Sequence, residues 1–390
     1  MRKVYIAGIA QLPVTANPEA SDRELGTAAV LAALEDAGAE RRAVDALYVG
    51  NMMSGLLAQQ QQLGGLIADY AGLAGVEAAT IEAACASGGA AARMGYLAVG
   101  SGAHDLVVVC GVERMTHVDH DTVTRALATA ADAELEGSQG ESFMSLNARL
   151  MREYLDRHGV APERFAPFAI VAHRNAMTNP HALLHKRIDL QGYLESRVVV
   201  DPIRIFDASP ICNGAAALVL ASADALARLG QRKAPMIEIL GSASATASLA
   251  LARRPDPLHL GAVELSTERA LAQAGVGRAE VDFFELHDAY TIITVLTLEA
   301  AGFASPGRGT ELGTEEWIGP SGRLPIATMG GLKARGHPVG ATGAYQLVEA
   351  ALQLAGAAGA SQVPNAEVGL VQNMGGTGAT VVTHVLRRTG

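Results

Sequence analysis

The amino-acid sequence predicts an α/β protein built from two similar halves, with an insertion in the first half. Three observations lead to this prediction: strand-like and helix-like segments alternate, part of the chain repeats, and one central stretch has no counterpart in the repeat. Aromatic residues make up only 4% of the chain, whereas glycine occurs 43 times. Few large rings and many small residues favour helices packed closely on a sheet over an aromatic-cored β-sandwich.

Short apolar runs and alanine-rich stretches alternate from the start of the chain. Apolar and β-branched runs predict strands at residues 4–9, 46–49, 106–110 and 217–220. Alanine-rich stretches predict helices at residues 24–37 and after Cys85. Strands that alternate with helices in this way are typical of a layered α/β fold.

An internal repeat divides the chain. Three pairs of segments match in the same order: residues 4–8 with 237–241, residues 36–49 with 273–286, and the predicted helices after Cys85 and His337. Repeats in a shared order indicate a duplicated structural unit. The unmatched middle carries its own predicted helices at residues 142–158 and 167–175. We therefore predict an N-terminal half at residues 1–111 and 208–232, an inserted domain at residues 112–207, and a C-terminal half at residues 233–390.

Composition excludes several classes of protein. The 390 residues carry 30 Lys and Arg against 40 Asp and Glu, and a net charge of −10 argues against nucleic-acid binding. Three cysteines do not make a disulfide framework, which indicates a reduced, intracellular protein. The apolar run at the N-terminus is too short for a secretion signal, and no other run is long enough to span a membrane. We expect a cytoplasmic protein.

Cys85 is the candidate nucleophile. It lies between a predicted strand end and a predicted helix start, where exposed N–H groups and the helix dipole favour the thiolate. Gly88 and Gly89 are poor helix formers, so we expect another group to approach closely there. An isolated buried cysteine is more often structural, and we assign that role to Cys110 and Cys212.

Two histidines lie at matching junctions. His337 precedes a proline at a predicted helix start, and His287 follows the predicted strand at residues 281–286. Ligands of α/β folds bind at the carboxyl ends of strands. Asp288 is a candidate to orient the His287 ring.

A glycine-rich segment at residues 372–380 follows the predicted strand at residues 368–371. Its backbone N–H groups have little steric cover, which suits an oxyanion hole. The candidates are Met374, Gly375 and Gly376. The segment fits a dinucleotide-binding motif poorly.

A basic stretch in an acidic chain is a candidate anion site. Residues 173–187 contain no acidic residue but include Arg174, Lys186 and Arg187, although a solvated helix face is an equal alternative. The pairs His117/His120 and His181/His185 lack further ligands of a metal motif, so we predict no metal site.

Taken together, the motifs resemble the thiolase superfamily over nearly the whole chain. They are Glu-Ala-Ala-Cys-Ala-Ser-Gly-Gly (82–89), Asn-Gly-Ala-Ala-Ala-Leu-Val-Leu (213–220), His-Asp-Ala-Tyr (287–290), Gly-His-Pro-Val-Gly-Ala-Thr-Gly (336–343) and Gly-Gly-Thr-Gly (375–378). They look closer to archaeal-type acetoacetyl-CoA thiolases and sterol-carrier-protein thiolases than to the two-cysteine bacterial enzymes. The resemblance implies a layered α-β-α-β-α fold of two βαβαβαββ halves related by a pseudo-twofold axis, with an inserted loop domain. It also implies a homodimer or homotetramer.

The resemblance also implies roles for the candidate residues. Cys85 takes the position of the nucleophile that becomes an acyl-thioester. His337 takes the position of the histidine that accepts the proton of the Cys85 thiol. His287 stands where the two-cysteine enzymes have Asn in Asn-Glu-Ala-Phe, which helps to bind a thioester oxygen. Gln372 and Ala289 occupy the two places where relatives carry a second catalytic cysteine. We therefore expect the histidines to share the remaining work, with His287, or His337 again, moving the α-proton and stabilising the enolate.

The function expected from this resemblance is a CoA-dependent acyltransferase that condenses acyl-CoA units to a 3-oxoacyl-CoA, or cleaves one, without a cofactor. Arg174, Lys186 and Arg187 would receive the phosphates of CoA. The alternatives are a ketoacyl synthase acting on carrier proteins, a steroid-type retro-aldolase, and a non-catalytic acyl-CoA or lipid-binding protein. Some archaeal-type relatives work with a partner synthase and a small zinc-ribbon protein, and such partners are open here.

Overall fold

The computed structural model describes residues 1–17, 19–230 and 235–389. Its strands are β1 (Val4–Gln11), β2 (Ala46–Gly50), β3 (Glu77–Ile81), β4 (Leu106–Glu113), β5 (Val198–Val200), β6 (Ile203–Arg204), β7 (Gly214–Ser222), β8 (Met236–Thr246), β9 (Phe283–Glu285), β10 (Val368–Gly375) and β11 (Thr380–Thr389). Its α-helices are α1 (Asp22–Ala37), α2 (Ser54–Leu57), α3 (Leu63–Tyr70), α4 (Ser87–Ser101), α5 (His120–Ala128), α6 (Phe143–His158), α7 (Ala166–Ala176), α8 (Leu190–Leu194), α9 (Ala223–Arg228), α10 (Gly261–Ala274), α11 (Thr291–Ala300), α12 (Glu315–Ile318) and α13 (Thr342–Ala355).

Among the described residues, nine strands form one mixed sheet in the order β3-β2-β4-β7-β1-β8-β11-β10-β9. From its centre outward, each half has the same pattern of two antiparallel pairings followed by a parallel one. The two innermost strands pair antiparallel, with Tyr5 opposite Glu238 and Ile6 opposite Ile237. These two strands contain the first matched pair of segments in the sequence. The predicted duplication is therefore confirmed.

Helices cover both halves in layers. Helix α1 packs on β1 and β7, and α10 packs on β8 and β11. Between the halves, α4 and α13 lie against each other, and α13 contacts strands of both halves. The result is the predicted α-β-α-β-α order, in which α13 is buried along most of its length and α4 exposes Met94.

Glycine allows the two central helices to meet at their N-termini. A Cβ atom on Gly88 would lie 2.9 Å from the Ala344 nitrogen, and one on Gly343 would lie 2.1 Å from the Gly89 nitrogen. Real Cβ atoms do not approach backbone this closely, so a larger residue would force the helices apart. The close approach expected at Gly88 and Gly89 is the start of α13.

The segment at residues 112–207 contains α5 to α8 and the small β5–β6 hairpin. Its helices α6 and α7 share a hydrophobic core with α11 of the C-terminal half. Strand β4 continues to Glu113, so its last two residues lie inside the predicted insert. The domain boundaries stay a prediction, and the one between residues 232 and 233 lies outside the described residues.

Two local predictions were wrong. The helix expected at His337 begins only at Thr342, after a π-helical turn at Gly331–Arg335 and a 3₁₀ turn at Val339–Ala341. The loop expected at residues 372–380 is mostly strand, because β10 pairs with β11 as far as Gly375. The two strands form a hairpin whose turn takes only residues 376–379, so β10 extends further into the glycine-rich segment than the glycines suggested.

Within the described ranges, no helix combines the length and the apolar character needed to cross a membrane.

Candidate active site

A cavity of about 710 Å³ lies between the inserted segment and the ends of the central helices. The three predicted catalytic residues, Cys85, His287 and His337, all line it. Much of the remaining wall is apolar and comes from all three parts of the chain: Met115, Leu127, Phe143, Val199, Ile205, Ile293, Val339 and Met374. A concave apolar site with a few converging polar groups is typical of ligand-binding pockets.

Cys85 is held in a tight turn just before α4. The preceding Ala84 has a left-handed backbone with φ of 51°, which is uncommon for a residue with a Cβ atom. The Ser87 hydroxyl fixes the turn by accepting a bond from the Ala83 N–H at 2.9 Å and donating one to the Ala84 carbonyl. The thiol therefore projects into the cavity from a backbone that is fixed on both sides.

The expected lowering of the Cys85 pKa is wrong. Burial raises the pKa of the thiol to about 12, and the nearby Glu113 carboxylate adds to the rise. The N–H groups of Cys85 and Gly376 lower it, but by less. Desolvation outweighs the helix terminus, because the side chain is only 8% exposed. Cys85 therefore needs a base to become a nucleophile.

This yields a testable pH dependence for the free enzyme. We expect the rate of Cys85 alkylation by iodoacetamide to rise about tenfold per pH unit between about pH 7 and pH 10, because the thiolate fraction rises by that factor below the pKa. Mass spectrometry of the peptides would confirm that Cys85 carries the label. A rate that is already level near pH 7 would show a preformed thiolate and contradict the raised pKa.

His337 has the protonation pattern of a base. The Thr342 hydroxyl lies 2.7 Å from His337 Nδ1 and 3.2 Å from the Pro338 carbonyl oxygen. When the hydroxyl donates its single proton to the carbonyl, it accepts from Nδ1–H, and this is the tautomer that we assign to His337. The Nε2 atom is left with a free lone pair. Burial, followed by His287 and Arg335, holds the pKa of His337 well below its usual value, so the ring is neutral.

His287 has the opposite pattern. The Oδ1 atom of Asn373 accepts from the Gly89 N–H at 3.0 Å, which turns its Nδ2 toward His287 Nδ1 at 3.2 Å. Because Nδ1 accepts, Nε2 carries the proton and can donate it. Burial lowers the pKa of His287 to about 3, so the ring stays neutral. The two rings lie nearly perpendicular with centroids 5.0 Å apart.

Asn373, rather than Asp288, orients His287. The Asp288 carboxylate instead binds Lys333 Nζ at 2.9 Å and the Leu332 N–H at 2.7 Å. Lys333 also lines the cavity. Both residues are almost fully buried, so each charge is compensated by the other. Asn373 stands inside the glycine-rich motif, but nothing in its local sequence marked it as a partner of His287.

The structure brings no second thiol to the cavity wall among the residues it describes. Cys110 and Cys212 are fully buried, as predicted. The Cys212 sulfur accepts the His337 N–H at 3.1 Å and does not line the cavity. Ala289 does line it. Gln372 donates to Thr267 and Thr383 in the core.

The predicted oxyanion-hole segment reaches the nucleophile. Met374 and Gly376 line the cavity, whereas Gly375 is paired within β10. Gly376, with φ of 63°, begins the turn after the strand, and its N–H stabilises the Cys85 thiolate. A backbone N–H aimed at the sulfur is also close to the oxygen of a thioester formed there.

The predicted anion patch is divided by the structure. Lys186 lines the cavity, but Arg174 and Arg187 do not. His173 lines the cavity, and neighbouring residues of a helix point about 100° apart. Arg174 therefore points away from the cavity, where it forms an ion pair with Glu315. Sequence reasoning missed Arg197, which lines the cavity from the start of the β5–β6 hairpin.

The candidate metal residues have other partners. His117 contacts the Leu57 carbonyl, and His185 contacts the Asn179 carbonyl. In the part of the chain that the structure describes, no group of three or more His, Cys, Asp or Glu side chains is arranged to hold a metal ion.

The chain matches known proteins over nearly its whole length. The family model "Thiolase, N-terminal domain" matches residues 4–224, and "Thiolase C-terminal domain-like" matches residues 243–388. The chain is 40% identical over 388 residues to acetyl-CoA acetyltransferase of Methanothermobacter thermautotrophicus, with 100% of both chains covered. It is 29% identical over 394 residues to sterol carrier protein 2 of Gallus gallus, covering 98% of this chain and 71% of that protein.

A solved structure supports the same fold. The Ltp2-ChsH2(DUF35) aldolase superposes with a TM-score of 0.84 at 23% identity, covering 99% of this chain and 98% of that chain. At this identity the likeness establishes the fold alone. With two matching domain models, a full-length relative at 40% identity and the duplicated layered fold, the chain belongs to the thiolase family.

Proposed function

We propose that this thiolase-type enzyme transfers acyl groups between CoA thioesters by a ping-pong reaction through an acyl-enzyme on Cys85. Forward, it joins two acyl-CoA molecules into a 3-oxoacyl-CoA; in reverse, CoA cleaves that product. The observation that carries the proposal is the pair of neutral histidines beside Cys85 with opposite proton arrangements. One is ready to accept a proton and the other to donate a hydrogen bond.

In the first half-reaction, His337 Nε2 accepts the Cys85 proton as the sulfur attacks the thioester carbonyl. Negative charge develops on the carbonyl oxygen, and the N–H groups of Cys85 and Gly376, which lower the pKa of the thiol, are our candidates to stabilise it. When the intermediate collapses, His337 returns the proton to the departing CoA sulfur. A neutral histidine suits this role, because it must accept a proton and then release it.

In the second half-reaction, His337 Nε2, which is neutral again, takes an α-proton from a second acyl-CoA, and the resulting enolate attacks the acyl-Cys85 carbonyl. When the tetrahedral intermediate collapses, the Cys85 sulfur leaves and recovers that proton from His337. An acyl-CoA is a weak carbon acid, so the enolate oxygen requires a donor. His287 Nε2–H supplies one, and Asn373 holds the ring in that tautomer. Because Nε2 carries the proton, His287 has no free lone pair on the cavity side. This arrangement supports a role for His287 in stabilising the enolate and does not support a role in removing the α-proton.

The reaction itself tests this proposal. Incubation with labelled acetyl-CoA should place one acetyl group on Cys85, detected as an intact-mass increase and located by peptide mapping. Acetoacetyl-CoA with CoA should be consumed, and acetyl-CoA alone should release CoA. Absence of a Cys85 adduct together with absence of turnover in both directions would contradict the function.

Lys186 and Arg197 are our candidates for binding the CoA phosphates at the cavity mouth. Lys186 lies over the Phe206 ring with Nζ 5.7 Å from its centroid, and the β5–β6 hairpin holds Arg197. We expect the double change Lys186→Ala and Arg197→Ala to raise the KM for CoA esters about 5- to 10-fold with kcat little changed, because exposed charges contribute modestly. Steady-state kinetics at low and high salt would measure it.

Arg174→Ala is the matched control, since its ion pair with Glu315 takes it away from the cavity. We expect its KM to stay within about twofold of the wild type, as removing an exposed ion pair has a small effect. If the KM rose for Arg174→Ala but not for the double variant, Arg174 would contact CoA, and Lys186 and Arg197 would not be the phosphate-binding residues.

Further parts of the proposal rest on resemblance. We propose a homodimer or homotetramer, a cytoplasmic location and a role in lipid metabolism, with CoA thioesters as substrates and no cofactor. A partner synthase and a small zinc-ribbon protein are candidate partners, and the similar Ltp2-ChsH2(DUF35) structure, whose name includes a DUF35 protein, supports a partner of some kind.

A further inference from the structure

We propose that Arg254 is a positioning residue for acyl transfer: its guanidinium holds the turn at residues 376–379, and with it the Gly376 N–H, against the Cys85 sulfur. The inference rests on the proposed function, in which that N–H stabilises the oxygen of the thioester on Cys85. Arg254 does not line the active-site cavity, and it belongs to none of the motifs that carry the resemblance to thiolases.

The Arg254 guanidinium binds the turn directly. Its Nη1 donates to the Thr377 carbonyl at 2.8 Å, and its Nη2 donates to the Thr377 hydroxyl at 3.1 Å. Its Nε donates to the Ser248 carbonyl at 3.0 Å, which ties the side chain to the segment just after β8. Because the guanidinium is a rigid plane, two bonds to one residue fix both the position and the orientation of Thr377, which directly follows Gly376.

The burial of Arg254 points to a role that an apolar side chain could not fill. The residue is only 9% exposed, and the three oxygens that accept its hydrogen bonds are all neutral. Burial lowers the pKa of Arg254, and the charge of Glu136 offsets only part of that effect. Removing a cation from water is costly, and a well-packed apolar side chain would avoid the cost. What the guanidinium adds is the fixed geometry of the turn.

The segment that carries Arg254 is itself anchored to the insert. Glu136, which is almost fully buried, accepts the Leu251 N–H at 2.7 Å. This bond fixes the 3₁₀ turn at Leu251–Arg253, and the Arg254 N–H closes that turn on the Leu251 carbonyl at 3.0 Å. Arg254 therefore reaches the 376–379 turn from a fixed base.

The other side of the same turn meets the nucleophile. A Cβ atom on Gly375 would lie 2.4 Å from the Ala83 carbonyl oxygen, in the tight turn that holds Cys85. The Gly376 N–H is close enough to the Cys85 sulfur to lower the pKa of the thiol. Because the strength of a hydrogen bond falls steeply with distance and angle, a small displacement of the turn would weaken this contact.

The turn separates two cavities. Gly376 lines the active-site cavity, whereas Arg254 lines a second cavity of about 940 Å³. A substitution of Arg254 therefore leaves the surface that faces the substrate unchanged. We expect such a substitution to act on kcat and not on the KM for CoA esters, because it alters a group that stabilises the transition state and none that binds CoA.

Arg254→Met keeps the length of the side chain, removes its three donors, and is the main variant. We expect kcat for exchange of labelled CoA into acetyl-CoA to fall about 10- to 100-fold, with KM within about twofold, because a displaced oxyanion donor costs a rate factor of this order. Alkylation of Cys85 by iodoacetamide should slow about 3- to 10-fold at each pH between about 7 and 10, because a weaker Gly376 contact raises the pKa of the thiol further.

Two further variants support the measurement. Thr377→Val keeps the shape of the side chain and removes only the hydroxyl that accepts from Arg254. We expect it to lower the same two rates by about threefold, and it tests the proposal even if Arg254→Met does not fold. Arg253→Met, at the exposed neighbouring position, is the control and should leave both rates unchanged. Melting temperatures would show that each variant is folded.

Two results would overturn the proposal. One is a wild-type kcat and a wild-type alkylation rate in folded Arg254→Met, even at a lower melting temperature, since Arg254 would then only stabilise the fold. The other is a raised KM with kcat unchanged, which would make Arg254 a CoA-binding residue. Absence of CoA exchange in the wild type would instead contradict the Cys85 acyl-enzyme. The alkylation rates need no turnover and would still test the role of Arg254, so the two failures are distinguishable.

Discussion

Replacing Cys85 by serine is expected to lower both condensation and thiolysis by at least about 10⁴-fold, since removal of a catalytic nucleophile has effects of this size. A hydroxyl is a much weaker acid than a thiol, and the buried site already raises the pKa of the thiol to about 12. His337, with its lowered pKa, is too weak a base to activate a serine in the same place. Acyl incorporation measured by intact mass, together with turnover in both directions, would test this.

Cys110→Ala is the matched control. Cys110 is fully buried in β4, with its sulfur 3.8 Å from the Gly26 carbonyl, and does not line the cavity. We expect normal acylation and turnover within about twofold, with a loss of stability on the order of 1 kcal/mol from the smaller side chain. If Cys85→Ser kept a stable acyl adduct at wild-type rate, another residue would be the acyl acceptor.

Replacing His287 by alanine is expected to lower condensation and thiolysis by about 10³-fold, since loss of a single oxyanion donor has an effect of that order. The physical reason is that the enolate oxygen would face an apolar wall instead of the Nε2–H held by Asn373. Acyl transfer to Cys85 uses the N–H groups of Cys85 and Gly376 instead, so exchange of CoA into acetyl-CoA should fall less than about tenfold. Parallel assays of the two half-reactions would show the difference.

His287→Asn separates the donor from the ring. An asparagine side chain can donate a hydrogen bond but cannot serve as a base at neutral pH. We expect it to recover at least about tenfold over His287→Ala if donation is the role of His287. Full condensation activity in His287→Ala would show that the enolate is stabilised elsewhere, and equal activities of the two variants would favour a role as base.

The architecture followed from local patterns. Apolar runs and alanine-rich stretches located the main strands and helices within a few residues, and α6 and α7 of the inserted segment fell where they were expected. The repeat predicted the pseudo-symmetry because its first matched segments became β1 and β8, which pair at the centre of the sheet. Gly88 and Gly89 indicated a close contact, although not that its partner was the start of α13.

The chemistry of the site depended on residues far apart in the chain. Asn373 sets the tautomer of His287 through Gly89, a relation that joins three positions with no local pattern between them. Asp288, adjacent to His287, binds Lys333 instead. Sequence proximity predicted the wrong partner, because side chains at the end of a strand point in directions that the surrounding elements decide.

By itself, the sequence determined the family, the two-half α/β architecture, and the assignment of Cys85, His287 and His337 to one site, because periodicity, glycine positions and motifs are local properties. Only the tertiary structure decided which way the Cys85 pKa shifts, which nitrogen of each histidine carries a proton, and which cations face the cavity. Each of these depends on desolvation and on hydrogen-bond partners contributed by distant segments, and those quantities exist only once the chain has folded.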